Sequence, residues 1–395
     1  MRRAGEAERE RLHGTFVSLC RIESPSGHER PCTDWVAAEL ARIGLEVDED
    51  GAGPAAGADA GNLFARIEGR GERSIMLCAH LDTVPPIAPI EPVLVDGRWE
   101  NENAGILGAD NKAAVAVLLV LAERLATAPD PPEVGVELIF TVSEENGLHG
   151  AKGFDVGRLR SSFGYVFDHA SPIGEIVVAS PTYQRVVADL HGRAAHAGIR
   201  PQDGRSAIVA AARAIAQMDL GRLDDETTAN VGTIGGGTAT NVVPERCRVE
   251  AEVRGLSEQR VEEVLTAMVD HFQEAADAGE CDLDITVERM FTGYRSKPRA
   301  AHIELAEQAL RACGYEPQPI TTGGGSDANA FEAVGLPCAN IANGTERNHQ
   351  PDERVSVDAL EGMLEVAIAL VDEAARQQPA REQPAREQPA REEPG

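Results

Sequence analysis

Five stretches of this chain carry side chains of the kind that bind divalent metal ions. AHLDTV sets His80 and Asp82 two residues apart at the end of a strand-like run, a spacing that points both side chains the same way. The chemistry this suits is a metal-bound imidazole whose second nitrogen donates to a carboxylate, which fixes the tautomer and raises the basicity. In GILGADNKAA, Asp110 occupies a glycine-rich turn ahead of an apolar helix; alone it reads as an ordinary N-cap. TVSEENG places Glu144 and Glu145 together at the end of an otherwise apolar strand. Adjacent carboxylates there face opposite sides, so one can bind a metal while the other reaches its water. Asp168 closes FGYVFDH in the same way, and an ionised group ending a buried strand is costly unless it is paired or bound to metal. His349 lies in the polar loop NGTERNHQPDERV, where an exposed histidine alone would need no function. Taken together, two histidines and three carboxylates are the ligand set of a two-metal hydrolase. Nitrogen and oxygen donors without thiolates suit zinc, with cobalt or manganese as alternatives.

The elements that must position these groups follow from periodicity. Residues 8–22 and 29–43 read as helices around the turn SPSG. Strand patterns at NLFARIEG, SIMLCAHLD, VELIFTVSEE and FGYVFDH alternate with an apolar helix from Lys112 to Leu125. Nearly continuous apolar strands with helices between them predict an α/β fold, a mostly parallel sheet covered on both faces, with function at the strand ends. From about Pro181 the order becomes strand 184–191, helix 206–217, strands 229–235 and 246–254, helix 257–277 and strand 282–289, which predicts an inserted ferredoxin-like α+β unit. After Tyr294 the earlier style returns with a helix at 301–313, the loop GGGSDANAF, a strand near 338–342 and a helix from 357 to 375. The predicted domains are therefore 1–180 and 295–376 as two parts of one catalytic unit, 181–294 as a lid, and 377–395 as a disordered tail. In that tail QPARE repeats and proline recurs too often for a helix.

The chain has 395 residues, and its 37 basic and 65 acidic side chains leave a net charge of −28. So acidic a surface repels phosphate backbones and anionic lipid, which argues against nucleic-acid and membrane partners. The longest apolar run, Ala113 to Ala122, is too short to span a bilayer, and a cytoplasmic location is expected. The seven cysteines include no Cys-x-x-Cys pair, which argues against a disulfide framework and a thiolate zinc site. No P-loop or strand-linked G-x-G-x-x-G suggests a nucleotide.

In order, AHLDTV, GADNKAA, SEENGLHGAKG, GYVFDH, RAAHAG, GGGSDANAF and the late histidine resemble the family of aminoacylase, carboxypeptidase G and peptidase T, di-zinc metallopeptidases, and within it the peptidase T branch. The resemblance reaches to about residue 375. It implies that Asp110 bridges two metal ions, that His80 and Asp168 complete one site, and that Glu145 and His349 complete the other. Glu144 would be the general base, Asp82 would orient His80, and the Asp110–Asn111 peptide would be cis. The family tends to carry Asp at the position of Asp168 in aminopeptidases and dipeptidases and Glu in carboxypeptidases and aminoacylases, which favours peptide hydrolysis by an aminopeptidase acting on di- or tripeptides. The resemblance also makes His196 a lid histidine that polarises the scissile carbonyl, often across a homodimer. It puts Asn241, Arg254 and Gly325 against the substrate, with Arg254 suited to clasping a carboxylate. The residues after His349 depart from the branch's smaller or hydroxylated ones. The rivals are an N-acyl amino acid amidohydrolase or carboxypeptidase with the same metals, and a non-catalytic binding module, against which the spare base Glu144 speaks.

Overall fold

The computed structural model describes residues 3–376; the QPARE-repeat tail lies outside them. Apolar β-rich runs build a nine-stranded sheet in the order Val47–Glu49, Leu63–Ile67, Gly135–Thr141, Ser74–His80, Gly164–His169, Cys338–Ala342, Glu175–Ser180 and Tyr294–Arg295, with Gln318–Thr321 also pairing with Glu175–Ser180. Its centre, Gly135–Thr141 to Cys338–Ala342, is parallel. Antiparallel strands flank it on both sides. Ser74–His80 and Gly135–Thr141 are buried throughout, as befits strands covered on both faces. The register pairs His80 with Thr141 and Ala342 with His169, so the carboxyl ends of the central strands finish level and form one rim.

The helix Ala109–Ala126 is buried from Ala109 to Ala122. Its small and branched side chains join those of the helices Glu6–Cys20 and Val357–Arg376 in one large core, so its position against the sheet is fixed by packing on every side. Non-helical backbone at Asp110 and Asn111, with a cis peptide bond between them, sets the start of this helix apart from a plain cap.

The strands Thr182–His191, Thr227–Gly236, Arg246–Gly255 and Asp282–Phe291, with the hairpin strand Gly221–Asp224, form a second, wholly antiparallel sheet. The helices Ala207–Gln217 and Glu258–Ala278 cover it and close a separate core. The strand–helix–strand–strand–helix–strand order is the ferredoxin-like one. A third sheet of four short strands, Thr345–Glu346, Arg354–Ser356, Arg98–Asn101 and Pro92–Val95, was not expected. Its hairpin turns at Asp96 and Gly97, both with positive φ, the Asp-Gly signature of a tight hairpin. This sheet matters because the loop joining Thr345–Glu346 to Arg354–Ser356 carries His349. The sequence GGGSDANAF also differs from a simple loop: the helix Asp327–Ala333 begins inside it, with Ser326 and Asn329 forming its capping box.

Candidate metal centre and catalytic pocket

The level strand ends bring the predicted ligands together. His80 Nε2 lies 3.2 Å from Asp110 Oδ1 and 3.5 Å from Asp168 Oδ1. His349 Nε2 lies 3.1 Å from Asp110 Oδ2 and 2.9 Å from Glu145 Oε1. Asp110 therefore presents one oxygen to each half of the cluster. Ligand atoms of His80, Asp110 and Asp168, and separately of Asp110, Glu145 and His349, lie within 4.8 Å of one another; so do those of His80, Glu144 and Glu145. The donors are imidazole and carboxylate only, a set that fits zinc, cobalt or manganese. Four carboxylates, Asp110, Glu144, Glu145 and Asp168, face two imidazoles at a site where His80 is 1% and Glu144 9% exposed. Such an excess of buried negative charge is stable only with protons or cations among the groups.

The titration shifts express that crowding. Burial, reinforced by the charge of Asp168, pushes Glu144 well above the usual carboxylate range, and burial pushes Asp168 up to about 8. Hydrogen bonding to Asp110 and Glu145 raises His349 to about 10. Burial disfavours the charged form of His80, yet Asp168 and Asp110 outweigh it and hold the imidazole well above its ordinary value. For Asp110 burial is likewise overcome by hydrogen bonds to His349 and His80, and its carboxyl stays below the usual range.

Buried polar groups hold the backbones that carry these side chains. His80 Nδ1–H donates to the Asp82 carbonyl at 2.9 Å, leaving Nε2 for the cluster; the Asp82 carboxylate stands 3.5 Å away. That carboxylate instead accepts the N–H groups of Glu144 and Glu145. The strand itself ends at Thr141, and Ser143, at φ 52°, turns the chain just before the two glutamates. Asn340 accepts the Asp168 N–H at 2.9 Å and donates to its carbonyl at 3.0 Å. Glu353, 2% exposed, accepts the N–H groups of Leu107, Gly108 and Asp110. Sequence reasoning missed Asn340 and Glu353. The available signals were a polar residue inside the apolar strand Cys338–Ala342 and an acid four residues after His349.

The cluster opens into a cavity of about 580 Å³ whose lining includes Asp110, Glu144, Glu145, Asp168 and His349 on one side and Tyr183, Arg185 and Arg254 of the antiparallel unit on the other. Gly325 lines it too and lies against the Phe291 ring, which leaves no room for a Cβ. Glycine is thus sterically required there, as well as conformationally free. Arg254 stacks 4.2 Å over the Tyr183 ring and forms two hydrogen bonds with Glu252, at 3.1 and 3.2 Å. Its bidentate face is already engaged, and Nη1 donates to the Gly323 carbonyl at 3.2 Å. His196 and Asn241 do not line this cavity. They lie side by side and exposed in the antiparallel unit, where Ala197 N–H donates to the Asn241 carbonyl at 2.9 Å.

A sequence profile described as "Peptidase family M28" matches residues 62–168, and one described as "Peptidase dimerisation domain" matches residues 183–280. The chain is 36% identical to the aminopeptidase PepT of Bacillus cereus, covering 93% of this chain and 99% of that one with a TM-score of 0.83. A tripeptidase of Staphylococcus aureus is 32% identical over 93% and 99% of the two chains, with a TM-score of 0.88. YqjE of Bacillus subtilis is 35% identical over 93% of this chain and 99% of its own length. The fold and the site thus define a peptidase of the metallopeptidase class. More narrowly, the chain belongs to the family of aminoacylase, carboxypeptidase G and peptidase T, in its peptidase T-like branch.

Proposed function

We propose that this peptidase is a dinuclear metal enzyme, with zinc as the preferred ion, that removes the amino-terminal residue from di- and tripeptides in the cytoplasm. The observation that carries this reading is Asp110, whose two carboxylate oxygens each face a different histidine. Asp110 would bridge the ions, with His80 and Asp168 on one and Glu145 and His349 on the other. When bound, two divalent ions acidify a water and polarise the scissile carbonyl. Glu144 has no metal to hold in this assignment. Its carboxylate takes the proton from the attacking water and passes it to the leaving amine, and the cations counter the burial that otherwise keeps it protonated. Asp82 fixes Glu144 through its backbone. Arg254 offers the substrate's carboxylate a cation, and the Gly325 backbone flanks the peptide. The unit 181–294 acts as the lid.

A homodimer through the lid accounts for the distance of His196 and Asn241 from the cavity of their own chain. Only the first residues of Thr227–Gly236 pair with the hairpin strand Gly221–Asp224, so from Asn230 onward one edge of that strand has no partner among the described residues. Ile234, on that stretch, is 51% exposed, and Val209 on the neighbouring helix 47%. An open, partly apolar edge of this kind invites pairing with a second copy. The test of the activity is to compare cleavage of Leu-Gly-Gly with that of an N-acetyl amino acid, each with zinc, cobalt and manganese. Cleavage of the tripeptide at its amino end is expected; preference for the acylated substrate would make the protein an amidohydrolase instead.

A further inference from the structure

Glu353 has no place in the chemistry above, yet it is 2% exposed and accepts three backbone N–H groups. One oxygen takes Leu107 and Gly108, both at 2.9 Å, and the other takes Asp110 at 2.8 Å. The donors converge because Gly108 has φ 75°, a left-handed turn that aims successive N–H groups into one concavity, as in an anion-binding nest. Three donors and no acceptor match a carboxylate anion; an amide would turn its own N–H₂ against at least one of them.

The carboxylate also ties together two loops. Glu353 lies in the hairpin loop that carries His349, and that loop is ordered from within: Gln350 N–H donates to the Arg347 carbonyl, Glu353 N–H to the Gln350 carbonyl, and Arg347 Nε to Asp352. Arg347 and His349 take positive φ values of 63° and 64°, conformations that persist when the surroundings over-determine them. Asp110 is thus gripped twice from one loop, by its backbone through Glu353 and by its side chain through His349.

We infer that Glu353 is a positioning residue for the metal pair: by fixing the Leu107–Asp110 loop to the His349 loop, it sets the bridging geometry of Asp110 before any ion arrives. The inference rests on the proposed ligand roles of Asp110 and His349. A plain helix-capping role would instead be confined to stability, since the same carboxylate sits at the amino end of Ala109–Ala126.

The experiment compares metal-free wild type with Glu353→Gln, measuring zinc affinity by competition with a chromophoric chelator well below the melting temperature of either protein. Amide hydrogen exchange over residues 105–112 is followed in the same samples. The expected result is a zinc affinity about 10- to 100-fold weaker in the variant, with faster exchange in that segment. A folded variant that binds zinc as wild type does, even if it melts earlier, overturns the inference in favour of capping alone. Should the variant fail to fold, metal-free wild type still decides: slow exchange at Leu107, Gly108 and Asp110 supports the clamp, and exchange as fast as an open loop overturns it. Wild type that binds fewer than two ions would break the proposed function itself, a result distinct from equal affinity in the two proteins.

Discussion

The carboxylate of Asp82 holds the backbone of Glu144: Oδ1 accepts the Glu144 N–H at 2.9 Å, while Oδ2 accepts the Glu145 N–H at 3.2 Å and the Ser26 hydroxyl at 2.6 Å. His80, two residues away, leans on the Asp82 carbonyl instead. Asp82 is therefore placed to govern the proposed base and a proposed ligand together. Asp82→Ala, which leaves two N–H groups without an acceptor at a buried site, should lower both zinc affinity and kcat at saturating zinc by about 10- to 100-fold. Weakened zinc binding with kcat fully restored by excess zinc would show that the grip on Glu144 is unimportant.

Asp110→Ala should lose both ions together, because each half of the cluster uses one of its oxygens, whereas His349→Ala should weaken mainly one. Metal analysis after dialysis against a fixed free zinc concentration reads the difference. Equal losses from the two substitutions would contradict the bridging role.

Raised pKa values in the metal-free cluster give its stability a definite pH dependence. His349 titrates at about 10 in the folded chain against an ordinary 6.5, so its contribution is full below the ordinary value and is lost as pH rises through 10. Asp168 titrates at about 8 against 3.8, so the folded state keeps a proton that the unfolded chain has released, and stability again falls as pH rises toward 8. Both signs agree. The melting temperature of the metal-free protein should fall between about pH 6 and pH 9, and zinc should flatten the slope by replacing those protons. A metal-free melting temperature that rises over that range would oppose the assignment.

Subunit sharing can be read from complementation. Mixing inactive His196→Ala with inactive Glu144→Ala under conditions of subunit exchange should restore up to about a quarter of the wild-type activity at equal ratio, the statistical share of sites that regain both residues. Proven exchange without recovery would count against a site completed across the dimer.

Much of this cluster was legible because functional side chains in an α/β sheet gather where strands end. His80, Glu144, Glu145 and Asp168 could be read from short polar breaks after apolar runs. Asp110 and His349 were less visible locally, since a turn aspartate and a loop histidine have ordinary explanations, and only the order of motifs singled them out. What escaped was set by long-range pairing. Strand order placed Asn340 beside Asp168, and the small sheet brought Glu353 to the Asp110 loop; neither partnership has a local signature. The hairpin at Asp96 and Gly97 did have one, and its role became clear only when its strands were seen to support the loop of His349. Gly325 was expected beside the substrate and lines the cavity, but the contact with Phe291 that requires a glycine there belongs to packing.

Glu144→Gln bears on the mechanism directly: it keeps the shape and removes the basicity, so both metals should stay while kcat falls about 10²- to 10⁴-fold. Glu145→Gln should instead weaken metal binding, because Glu145 meets His349 at 2.9 Å.

The most direct measurement of the whole account is a zinc titration of the metal-free protein with Leu-Gly-Gly cleavage followed at each step. Five imidazole and carboxylate side chains, with Asp110 shared as proposed, would be too many for one tetrahedral ion and would suffice for two. Activity should therefore rise to a plateau at two equivalents of zinc per chain, with both ions retained after gel filtration. A plateau at one equivalent, or cleavage independent of added metal, would contradict the dinuclear centre on which the account stands.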